Sequence, residues 1–263
     1  MLGWSINLCR IFGIQLAVHA SFLLLLAYYG YDGWVAGGVP GLLWSVGLIV
    51  LFFVCVILHE LGHSLTARRY GVNVSRILLL PIGGMAQFDR IPRKPAQELL
   101  ITIAGPAVNF GLVAVLLPLV WRDLFSDSID SGYSLAGLGT QLCVANLVMG
   151  TFNLLPVFPM DGGRIFRALL ALKLAYLRAT YWAVIVGKVL AVIFAALAAF
   201  YFKNPVSCVL FLFIFWAGDA EYRQTLRREQ EDLYWAEMAR RGSLVEPTDP
   251  SEELPPLIYH GPN

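Results

Sequence analysis

The feature that most constrains this chain is a series of apolar runs, each near the ~20 residues that a helix needs to cross a bilayer. They lie at roughly 16–35, 42–67, 97–120, 136–156, 181–202 and 205–219. Composition agrees: 58% of the 263 residues are hydrophobic and 14% charged. An ordinary soluble domain carries about 25% charged residues, so this chain has too few to cover a globular surface, and it reads as a membrane protein. The net charge of +1 gives no electrostatic footprint for nucleic acid. Cys9, Cys55, Cys143 and Cys208 form no CxxC pair and read as small apolar fillers. The first apolar run has no small-residue cleavage site and reads as a retained span rather than a leader.

Arginine and lysine set the orientation. Arg68, Arg69, Arg76, Arg90, Arg93 and Lys94 follow the second run; Arg164, Arg167, Lys173 and Arg178 follow the fourth; Arg223, Arg227, Arg228, Arg240 and Arg241 lie in the tail. The alternate segments 32–41, 121–134 and 203–205 are poor in positive charge. The expectation is an all-α polytopic membrane protein of six transmembrane helices, with both termini in the cytoplasm. Residues 72–91 break this pattern. Val72, Val74, Ile77, Leu78 and Leu79 have strand character, and Pro81 with Gly83-Gly84 makes a turn, which predicts a small membrane-associated β-hairpin. Lys188, inside the fifth run, is expected to snorkel to the interface. The chain divides into a membrane core (1–220), a charged cytoplasmic helix (221–242) and a proline- and acid-rich disordered tail (243–263).

The chemistry begins at His59-Glu60-Leu61-Gly62-His63. Residues four apart share one helix face, so both imidazoles can bind one metal ion, with Glu60 close enough to act as general base on water. The setting sharpens the signal. His59 lies nine residues before Arg68, ~13 Å below the charged helix end at helical rise. Two histidines and a carboxylate at that depth cost several kcal/mol unless a metal and a watery cavity receive them.

A catalytic zinc keeps three protein ligands and one open position, which leaves one ligand to find. Asp161, in Asn153-Leu154-Leu155-Pro156-Val157-Phe158-Pro159-Met160-Asp161-Gly162-Gly163-Arg164, is the strongest candidate, its alternative being a helix cap. Asn153 is either a donor to the oxyanion of peptide hydrolysis or an interhelical hydrogen-bonding residue. Asn146 reads as packing. Asn109, in Ala104-Gly105-Pro106-Ala107-Val108-Asn109, reads as part of a kinked helix in close contact with a neighbour, and His19 as a structural group. His260 carries no reading.

Together these motifs resemble the site-2 protease family of intramembrane zinc metalloproteases: HELGH at 59–63, AGPxxN at 104–109 and FNLLPxxPxDGGR at 152–164, over roughly residues 10–220. The resemblance is to a form without PDZ or CBS domains. It implies one Zn2+ per chain on His59, His63 and Asp161, with Glu60 as base. It also implies that the hairpin receives an extended substrate by strand addition. The implied substrates are single-span membrane proteins such as anti-sigma factors. The compact core and the lack of targeting signals suit a bacterial or archaeal cell membrane. The rival reading is a membrane metal transporter or sensor that uses the same ligands without catalysis.

Overall fold

The computed structural model describes residues 4–81, 83–89, 93–124, 134–201, 203 and 205–242. The expectation for 243–263, and those for residues 90 and 260, fall outside these. The order of elements is β1 (Ser5–Ile11), β2 (Ile14–His19), α1 (Ser21–Arg69), β3 (Val74–Leu80), β4 (Gly83–Phe88), α2 (Pro95–Leu124), α3 (Leu135–Asn153), α4 (Asp161–Ala171), α5 (Tyr176–Phe200) and α6 (Pro205–Gly242). The described residues fall into two compact units, divided after Tyr222. In the second unit the described residues continue α6 as an exposed, charged helix, with an Arg241–Glu237 pair one turn apart at 2.6 Å.

Among the described residues, four helices are long and apolar enough to cross a membrane: α1, α2, α3 and α5. The apolar stretch of α6 is interrupted by Asp219 and Glu221, and α6 is not among the four. The first and second runs of the sequence both lie in α1. Its 49 residues would span ~74 Å if straight, more than two hydrocarbon thicknesses. It is not straight. Gly37 leaves helical backbone and Gly38 takes φ +59°, a left-handed conformation that glycine adopts without penalty, two residues before Pro40. The two halves then fold back on each other. A Cβ at Gly33 would lie 2.4 Å from both the Gly41 carbonyl and the Ser45 hydroxyl, and one at Gly30 would press on Leu42 and Val46. Further along, the rings of Phe22 and Phe53 meet at 4.5 Å. Thus α1 is a helical hairpin, with small residues letting its arms approach closely.

The predicted hairpin exists as β3 and β4, but it belongs to a larger sheet of order β1-β2-β3-β4. β1 and β2 pair antiparallel through a two-residue turn, Phe12-Gly13, with φ of +51° and +77°, the left-handed geometry such turns require. β2 pairs parallel with β3, from Gln15↔Arg76 to Val18↔Leu79, and α1 makes the crossover. The expected hairpin is thus half of a four-stranded sheet beside the helices, and the start of the first run is corrected. Residues 14–19 are a central strand buried at Ile14, Leu16 and Ala17, and the helix begins only at Ser21. His19 Nδ1 accepts from the Ser21 backbone N–H at 3.2 Å and meets its hydroxyl at 2.7 Å, which ties the strand to the helix start.

One apolar cluster joins the sheet to α1 and α2, with Ile14, Leu16, Phe53, Val56, Leu61, Ile77 and Ile101 at its centre. α3 packs on α2, and the short helix α4 packs between α2 and α5. Lys188 does not stand alone in its span. It pairs with Asp219 of α6 and lies 4.8 Å over the Phe215 ring. Its ammonium thus has a part-exposed carboxylate as partner.

Candidate metal centre

The second arm of α1 presents His59 and His63 on one face, 3% and 8% exposed, with ring centroids 4.7 Å apart. Asp161 enters from the other side as the first residue of α4. The N-cap is Met160, without a side-chain cap bond, so the carboxylate is not spent on capping. The connection 154–160 that delivers it is a chain of tight turns. Gly162 and Gly163 are needed there because a Cβ on either would lie 2.1 Å from the Leu155 carbonyl or 2.7 Å from the Phe158 nitrogen. The three ligand atoms converge. His59 Nε2 and His63 Nε2 are 3.1 Å apart, and Asp161 Oδ2 lies 3.3 Å from the first and 3.2 Å from the second.

Hydrogen-bond direction decides what this convergence means. The Leu142 carbonyl can only accept, so the Asn146 amide nitrogen donates to it at 2.8 Å. Asn146 Oδ1 then accepts from Asn109 Nδ2 at 2.9 Å, which turns Asn109 Oδ1 toward His59 Nδ1 at 2.5 Å. His59 therefore carries its proton on Nδ1. His63 does the same, donating from Nδ1 to the Ile101 carbonyl at 2.8 Å. On neutral imidazoles both Nε2 atoms are then lone pairs. They face a carboxylate oxygen, Asp161 Oδ2, that is itself buried with no donor among the described residues. Three acceptors held this close repel one another unless a metal ion or a shared proton lies between them.

Their spacing suits zinc. At Zn–N and Zn–O distances near 2.05 Å, tetrahedral ligands stand about 3.3 Å apart, and the observed edges are 3.1–3.3 Å. Two imidazoles and one carboxylate are also a known catalytic zinc donor set, which leaves a fourth position open. These three residues are the group of metal-ligating side chains found among the described residues.

α2 is the frame for this centre. Ile101, Gly105 and Asn109 recur at four-residue spacing on one face. A Cβ at Gly105 would lie 2.2 Å from His63 Nε2 and 2.8 Å from His59 Cε1, so only glycine can stand there. A Cβ at Gly62 would lie 2.7 Å from the Ala104 carbonyl, so the two helix backbones touch at this point. Glu60 is half-buried beside the ligands, on the face turned toward the sheet. Gly84 of β4 packs on it so closely that a Cβ there would lie 2.6 Å from Glu60 Cγ.

The structure thus brings His59, His63 and Asp161 together and packs Glu60 against Gly84 of β4. Asn153 ends α3, half-buried, at the head of the 154–160 connection. The hydrogen bonds that reach the ligands come instead from Asn109 and the Ile101 carbonyl. Asn109 was legible as a buried polar residue in the sequence, but its partner fifty residues away was not. The Ile101 carbonyl carries no side-chain signal at all.

A family model described as peptidase family M50 matches residues 47–136 and 126–194. A zinc metalloprotease of Methanocaldococcus jannaschii is 41% identical over 226 residues, 84% of this chain and 62% of that relative. Stage IV sporulation protein FB of Bacillus subtilis is 24% identical over 193 residues, 73% of this chain and 64% of that relative. The chain spans less than two thirds of the length of either. A solved structure, the site-2 protease from Methanocaldococcus jannaschii, is 40% identical and superposes with a TM-score of 0.58, covering 83% of this chain and 95% of that one.

Proposed function

This chain belongs to peptidase family M50, the site-2 protease family, and from that membership we propose that it is a membrane zinc metalloendopeptidase that hydrolyses peptide bonds in or near the transmembrane segments of single-span membrane proteins. The observation that carries this reading is the convergence of three buried acceptors at tetrahedral spacing, with a half-buried carboxylate beside them. His59, His63 and Asp161 hold one zinc ion. Six crossings accommodate it: two arms of α1, then α2, α3, α5 and the apolar part of α6. The alternation of arginine and lysine supports this count and puts both termini on the cytoplasmic side.

When bound, zinc supplies Lewis acidity, which makes water a nucleophile near neutral pH and polarises the scissile carbonyl. Glu60 takes the proton from the attacking water and returns it to the leaving amine. The Asn153 amide donates to the oxyanion. β4 ends the sheet, so its outer edge can take an extended peptide by strand addition. Gly84 then sets that strand beside Glu60. The substrate must be extended here, because a helix locks its carbonyls in internal hydrogen bonds.

Glu60→Gln separates this reading from metal transport or sensing. The protease reading predicts that the variant keeps about one zinc per chain while cleavage falls by at least about 10²-fold, the scale of a lost general base. The measurement compares membrane proteomes of cells carrying the two forms. A single-span protein that accumulates only with Glu60→Gln supports the proposal; the same cleavage products with both forms would refute it.

A further inference from the structure

A second buried polar assembly lies near the metal centre, and the chemistry above does not use it. Arg167, six residues after Asp161 on α4, is 3% exposed. Its Nε and Nη2 donate to Glu98 Oε1 on α2 at 3.0 and 2.5 Å, and its Nη1 donates to Glu221 on α6 at 2.7 Å. The guanidinium lies 5.2 Å from the Phe158 ring centroid and 5.1 Å from that of Tyr176. The Tyr176 hydroxyl also reaches Glu98 Oε1, at 3.3 Å. Glu98 is 1% exposed, and its other oxygen, Oε2, is buried without a hydrogen-bond partner among the described residues.

The placement of these partners matters more than their number. Glu98 continues the stripe on α2 that carries Ile101, Gly105 and Asn109. That stripe fixes the His59 ring through Asn109 and the His63 ring through Ile101. Among the described residues Asp161 has no comparable tie of its own, since neither the cap nor any donor holds its Oδ2. The tie runs instead through Arg167. Phe158 belongs to the connection that delivers Asp161, is 1% exposed, and packs under the guanidinium. Arg167 therefore grips α4 from within the helix and the preceding connection through Phe158, and anchors both to the helix face that orients the histidines.

We propose that Arg167, held by Glu98, is a positioning residue for the metal: it registers the Asp161 carboxylate against the two imidazoles, so that α2 sets all three ligands. Arginine suits this role and lysine does not, because only a planar fork donates to two carboxylates at once while stacking between two aromatic rings. The inference rests on the zinc reading above.

The test uses the full chain in detergent, with zinc affinity measured by competition against a chromophoric chelator and Co2+ loaded as a spectroscopic probe of the ligand set. Thermal unfolding of the metal-free forms reports any general loss of fold. Arg167→Gln is expected to bind zinc about 10- to 100-fold more weakly, the usual cost of losing a partner that orients a ligand. Its Co2+ absorption should shift toward that of Asp161→Ala. Arg167→Lys should restore little of the affinity. Glu98→Gln should lose affinity by a smaller factor, and the double variant should lose less than the product of the two single losses.

Wild-type zinc affinity and a wild-type Co2+ spectrum in both Arg167 variants would overturn the proposal and leave the protease reading standing. Unfolding at lower temperature with unchanged metal binding would also overturn it, by showing a staple of the fold alone. If Arg167→Gln does not accumulate as folded protein, Glu98→Gln decides: reduced affinity supports the proposal and unchanged affinity ends it. A wild-type chain that binds neither ion would sink the protease reading itself, and this inference with it.

Discussion

Two polar assemblies are buried in this apolar bundle, and they differ in what completes them. Around Arg167, donors meet acceptors: one guanidinium, two carboxylates and a phenol answer one another across four helices. Around His59, His63 and Asp161, acceptors meet acceptors, and the donors point outward to Asn109 and Ile101. Burying charge is costly in both places. The first assembly offsets most of that cost with its own hydrogen bonds, Glu98 Oε2 excepted. The second does so only with a cation. A cluster of titratable residues therefore signals a ligand site when the directions of its hydrogen bonds leave lone pairs converging, rather than merely when its members are close.

That contrast can be broken from one side. Gly105→Ala intrudes on the ligand cluster, since the atoms nearest its Cβ would be those of His63 and His59. We expect bound zinc, measured by elemental analysis, to be lost. The fold should survive at a cost of about 1–3 kcal/mol, typical of overpacking. Asn109→Ala is milder. It removes the acceptor for His59 Nδ1 and frees the ring to change tautomer, and zinc affinity in a chelator competition should fall about 10- to 100-fold. The smallest effect should come from an ion pair that neither assembly needs. Arg241 and Glu237 are 70% and 62% exposed, and Arg241→Ala should change stability by no more than about 0.5 kcal/mol in a denaturant titration.

The sequence revealed the parts of the site whose signal is local. HELGH announces its own helix face, and Asp161 stands out because a carboxylate between prolines and glycines in a membrane chain needs a purpose. What it hid was long-range or carried by the backbone. Glu98 and Arg167 are 69 residues apart in sequence, and each alone reads as a charge at a helix end. β1 and β2 were hidden for another reason. The run from Ile14 to Val18 is short and continuous with the apolar start of α1, and buried strands and helix segments look alike over so few residues. The fold back of α1 was legible as two apolar runs either side of the charge-poor segment 32–41, whereas the Gly30 and Gly33 contacts that close the hairpin were not.

X-ray absorption at the zinc edge of the purified full chain, beside Asp161→Ala, tests most directly whether three converging acceptors hold a metal. The expected wild-type result is one zinc per chain in a shell of two imidazole nitrogens and carboxylate oxygen at about 2.0–2.2 Å, without sulfur. The Asp161→Ala shell should lack the carboxylate. Wild-type protein without stoichiometric zinc, or an identical shell in both proteins, would contradict it.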